Sequence, residues 1–142
     1  MKKLLVLMLA LASMAITANE YDKRQSILLS QPQQAHVLQE MRSLLTGIQG
    51  ILGALSTDDW EAVAEHARPL GMGMKKKPEN QLHKVLPAEF MVLGKSVHRN
   101  FDLIANDAEK LKNPKHTLKQ VSNTMLLCQG CHAIYRIEVN PL

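Results

Sequence analysis

Residues 118–136 read LKQVSNTMLLCQGCHAIYR, and the reading of this stretch decides the fold. Leu118, Val121, Met125, Cys128 and His132 recur at steps of three and four residues, the spacing that lines side chains along one stripe of an α-helix. On such a helix Cys128 and Cys131 share a face, and His132, four residues beyond Cys128, turns its ring to the same side. Asn113-Pro114 ends the preceding segment, so this last helix is expected from about Lys115 to Tyr135.

The same period runs through three earlier stretches. A first helix is expected from Pro32, a good first-turn residue, to about Leu55, with Ser30 as N-cap and Gln33 completing the cap. Its buried stripe is Val37, Met41, Leu44 or Leu45, Ile48, Ile51 or Leu52, and Leu55. Gly47, Gly50 and Gly53 interrupt it, each costing about 1 kcal/mol relative to Ala. They are either tolerated or mark the close approach of something bulky, a neighbouring helix or a flat cofactor. A short second helix opens on the capping run Ser56-Thr57-Asp58-Asp59, faces inward with Trp60, Val63, Ala64 and Ala67, and ends or kinks at Pro69. Gly71 to Pro87 has no sustained period and reads as the long connection. A third helix, from Pro87 or Ala88 to about Leu111, buries Phe90, Leu93, Val97, Phe101, Ile104 and Ala108. Strand signals are nearly absent. The chain therefore reads as all-α, an antiparallel up-down-up-down four-helix bundle.

Residues 1–18, MKKLLVLMLALASMAITA, have the basic start, apolar run and small-residue end of a secretory signal peptide, with the cut after Ala18 favoured over Ala15. The apolar run falls short of the roughly 20 residues of a spanning helix, so an uncleaved anchor is the lesser reading. Export to the periplasm is expected, with no membrane attachment after removal, leaving residues 19–142 as one domain. Lys+Arg number 17 against Asp+Glu 13, and Lys2 and Lys3 leave with the leader. The small remaining charge, without a basic stripe interleaved with aromatics, argues against nucleic acid. The aromatics are only Trp60, Phe90, Phe101, Tyr21 and Tyr135, so the core must be filled by aliphatic side chains or by a large bound cofactor.

Two cysteines in an exported chain would ordinarily suggest a disulfide. The following histidine changes that. Cys128-Gln129-Gly130-Cys131-His132 is the spacing of covalent c-type haem attachment: two thiols on one helical face can each meet a vinyl group at the porphyrin edge, and the imidazole can turn under the iron. A thioredoxin-like dithiol would need a βαβ context that is missing. A zinc site would need further ligands at fixed spacing, whereas His36, His66, His83, His98 and His116 are scattered over different segments. A disulfide between helical residues three apart would be strained.

Leader, four helices and a late CQGCH followed by Ala133-Ile134-Tyr135-Arg136 resemble the class II cytochromes c, which include cytochrome c prime and its low-spin relatives. The resemblance implies one haem c on Cys128 and Cys131, with His132 as proximal iron ligand and Arg136 beside a propionate or the proximal imidazole. In low-spin members a methionine of the first helix is the sixth ligand, which points to Met41. Matching the end of the first helix at Gly53-Ala54-Leu55 instead puts Leu44 or Leu45 over the iron, leaving it open to NO or CO. The two functions implied are an electron carrier working with redox partner proteins and a gas-binding protein. A homodimer is compatible with either. Lys75-Lys76-Lys77 is a candidate docking run for an acidic partner or a solvated loop. No paired carboxylates, nucleophile elbow or phosphate loop mark the chain as an enzyme.

Overall fold

The computed structural model describes residues 21–74 and 81–140. The leader and Lys75-Lys76-Lys77 lie outside them. Four α-helices dominate the described residues: α1 (Gln31–Leu55), α2 (Trp60–Ala67), α3 (Ala88–Leu111) and α4 (Pro114–Ile134). The caps are those the side chains dictate. Ser30 Oγ accepts from the Gln33 amide at 3.4 Å while Gln33 Oε1 accepts from the Ser30 amide at 3.0 Å, a reciprocal capping box. Asp59 accepts from the Ala62 amide at the start of α2, and Asn113 from the His116 amide at the start of α4. Pro69 turns the end of α2 into a single 3-10 turn, Arg68–Leu70. Lys112 ends α3 in the left-handed region at φ 45°.

Helices α1 to α4 pack in sequence, each against the next. Their main core joins Leu44, Ile48 and Ile51 of α1, Val63 and Ala67 of α2, Phe101, Ile104 and Ala108 of α3, and Val121 of α4. Gly47 and Gly50 mark a close approach by a neighbouring helix: a Cβ at 47 would run into Leu70, one at 50 into the His66 ring, and one at 53 would meet open space. Of the paired alternatives in the first stripe, Leu44 and Ile51 are inside, while Leu45 and Leu52 are exposed.

Two expectations need correction. The first is the near absence of strands. Gln25–Leu29 forms β1 and Tyr135–Val139 forms β2, a parallel pair in the register Gln25↔Tyr135 to Leu29↔Val139. Tyr135 therefore opens a strand instead of closing a helix. Parallel strands need a long crossover; here all four helices lie between them. One face of the pair is covered by a second core of Ile27, Leu29, Val37 and Tyr135, with Met41, Phe90, Leu93 and Cys131 packed against it. The second correction is the buried stripe of α4. Val121 is buried, but Leu118, Met125 and His132 are exposed, and Thr117 and Thr124 take the inner positions. Each threonine hydroxyl donates to the carbonyl four residues back, Thr117 to Asn113 at 3.2 Å and Thr124 to Gln120 at 2.8 Å. A hydroxyl satisfied in this way enters the core without an orphaned donor, which a polar/apolar pattern cannot register.

Candidate functional site

The last two turns of α4 carry Cys128, Cys131 and His132, immediately before the chain enters β2. The helix ends there because Tyr135 goes extended, its amide still donating to the Cys131 carbonyl. Both cysteines are free and half-buried. Burial pushes both thiols up from their ordinary value, and Cys128 beside it raises Cys131 further. Neutral thiols are the reverse of a redox dithiol, whose attacking cysteine is held as thiolate by a lowered pKa. The imidazole of His132 is exposed.

Leu118 and Met125, 48% and 46% exposed, continue the stripe of Cys128 and His132 back along α4. Two exposed apolar side chains thus stand outside the core on the helix that leads to the thiol pair. From α1, Met41 is half-buried and packs against both cores, the second of which also receives Cys131. The structure therefore brings Met41 and Cys131 to one cluster, which does not include Cys128 or His132. Leu44 belongs to the other core, and Leu45 is 68% exposed.

Arg136 sits on β2 opposite Ser26. Its Nε donates to Ser26 Oγ at 2.9 Å, and its terminal nitrogens lie 3.1 Å from Glu138 and 3.7 Å from Asp22. Arg24, just before β1, donates from Nη1 to the His132 carbonyl at 3.3 Å. The sequence reading missed Arg24. Its signal, an Asp-x-Arg just ahead of an alternating apolar segment, is visible only once that segment is recognised as a strand.

A second omission is His98 of α3, given no role from the sequence. Its Nδ1 donates to the Leu70 carbonyl at 2.7 Å and its Nε2 faces Glu40 of α1 at 3.1 Å, so it joins three segments of the body. Elsewhere Trp60, Glu61, Glu65, Arg68, Glu109 and Lys112 line an open groove of about 610 Å³ between α2 and the end of α3. The groove contains none of the motif residues.

Among the described residues no three His, Cys, Asp or Glu side chains converge as a metal-binding group. Two thiols and one imidazole at the end of α4 suit a group that brings its own equatorial metal ligands and asks the protein for covalent anchorage and an axial donor. Comparison with family models, curated proteins and solved structures finds no match to this chain.

Proposed function

We propose that this chain is an exported c-type cytochrome of the class II kind, an up-down-up-down bundle that carries one haem on Cys128 and Cys131 with His132 as proximal ligand and Met41 opposite, and that it is an electron carrier working with redox partner proteins. The observation that carries this reading is the CQGCH motif at the end of α4, with both thiols free and Met41 packed on the same cluster as Cys131.

The haem would supply reversible one-electron iron chemistry. The chain's own contribution is anchorage, orientation and shelter. Cys128 and Cys131 would anchor the haem covalently to α4, and the exposed Leu118 and Met125 would offer it apolar surface. Met41 offers a thioether, a soft donor that favours the ferrous state. Arg136 is the cation on offer to a propionate, shared with Glu138 and Asp22. A second reading, an open sixth position that binds NO or CO, is favoured by one observation: Met41 is already seated between two apolar cores, as a methionine that merely fills space would be.

The test is mass spectrometry and an optical spectrum of protein recovered from the exported compartment. One covalent haem is expected, lost or loosened in Cys131→Ala. The reduced protein should be low-spin and slow to take up carbon monoxide, with Met41→Ala becoming high-spin and reactive. A polypeptide mass alone sinks the haem reading; a haem-loaded wild type that takes up carbon monoxide at once puts gas binding first.

A further inference from the structure

We propose that residues 22–29 form a strap that positions His132, and that Arg24 is its positioning residue, gripping the backbone of the turn that carries the ligand; this rests on the haem reading above. A helix end leaves its last carbonyls without partners and frays there. In α4 that end is also the attachment turn, so any fraying would move the imidazole. Arg24 meets the need directly, its Nη1 donating to the His132 carbonyl, a cation placed at the negative end of the helix dipole.

The grip is oriented from behind. Asp22 takes Arg24 Nε at 2.9 Å and Nη2 at 2.7 Å in a forked pair, which leaves Nη1 aimed at α4. The Asp22 carboxylate is also 3.7 Å from Arg136 on β2, so one carboxylate touches cations from both sides of the strap. Immediately after Arg24 the β1–β2 pairing begins at Gln25 and Tyr135. The residues before β1 are thereby set against the residues before β2, with Ile27 and Leu29 sunk in the core that also receives Cys131. Among these contacts the one that reaches the ligand's own peptide is Arg24 on the His132 carbonyl, 108 residues away in sequence.

The experiment compares haem-loaded wild type with Arg24→Ala, Arg24→Lys and, as a surface control, Arg42→Ala, whose guanidinium hydrogen-bonds among the described residues to Gln39 of its own helix. Amide exchange at residues 132–135 should quicken about two- to fivefold in Arg24→Ala, the range a charge at a helix terminus commands. The ferric electron paramagnetic resonance signal should broaden and the midpoint potential should shift, because the imidazole is less firmly oriented. Arg24→Lys should restore much of both, and Arg42→Ala should match wild type. Haem-loaded Arg24→Ala with wild-type exchange, resonance signal and potential overturns this proposal alone. A haem-free wild type overturns the cytochrome reading and the ligand role of His132 together.

Discussion

Asp22 is the single side chain expected to make the strap sensitive to acid, since it holds both Arg24 and Arg136. Its hydrogen bonds from the Arg24 side chain and backbone, with the charges of Arg24 and Arg136, hold its carboxyl well below the usual carboxylate range. A carboxyl depressed by folding contributes stability that is whole above its unfolded value of about 4 and is lost as the pH falls below that toward the folded value. The strap should therefore be unchanged from neutral pH down to about 4 and loosen only below it. Exchange of the Ile27 and Asn140 amides, which the register and the Asn140-to-Leu29 hydrogen bond place in the ladder, followed as a function of pH and compared with Asp22→Asn, checks this: the variant should show quickened exchange already at neutral pH and no further step on acidification. A loosening centred near pH 6 in wild type would mean that Asp22 is not the group that titrates.

Among the elements, the three glycines of α1 separate cleanly by what lies over them. Gly47→Ala must displace Leu70, which is itself buried, and should cost about 1 to 3 kcal/mol in denaturant unfolding, the usual price of overpacking. Gly53→Ala meets nothing and should stabilise by about 0.5 to 1 kcal/mol through the better helix former. Gly50→Ala meets the ring of exposed His66, which can swing aside, and should fall between them. Equal effects at 47 and 53 would show that Leu70, in the turn after α2, does not press on α1 as described. The helices themselves were legible, because Ser30, Asp59, Pro69 and Asn113-Pro114 are punctuation that acts through local chemistry. The cysteine motif was legible for the same reason: its spacing is local. The strands were not, since each is five residues long and its partner lies beyond four helices, although Tyr135, Ile137 and Val139 alternating with Arg136 and Glu138 is a period of two. Nor was the rotation of α4, which depends on threonines hiding their hydroxyls against the helix, nor the pairing of His98 with Glu40, which needs the third dimension.

For the molecule as a whole, joining β1 to β2 closes a loop that contains the four described helices, and contacts among those helices shorten the chain that the closure must order. No described helix is long and apolar enough to cross a membrane, and the two ends of the described body meet at the strap. That meeting has a mechanical consequence. Because the strands are parallel, the chain enters β1 at Gln25 and leaves β2 at Val139, at opposite ends of a ladder five residues long. A force applied to the two chain ends drags the strands past each other along their own axes, loading all the rungs at once. A force applied at Tyr21 and Ile134, both at the same end of the ladder, peels the rungs one at a time. Single-molecule pulling with handles at Tyr21 and Asn140 should show a distinct force peak before the helices unravel, and handles at Tyr21 and Ile134 a lower one; rupture at equal force in both geometries would show that the strands do not bear the load. Held by its ends, the turn that carries Cys128, Cys131 and His132 sits behind a clasp that resists tension most strongly in the direction in which the chain itself would pull.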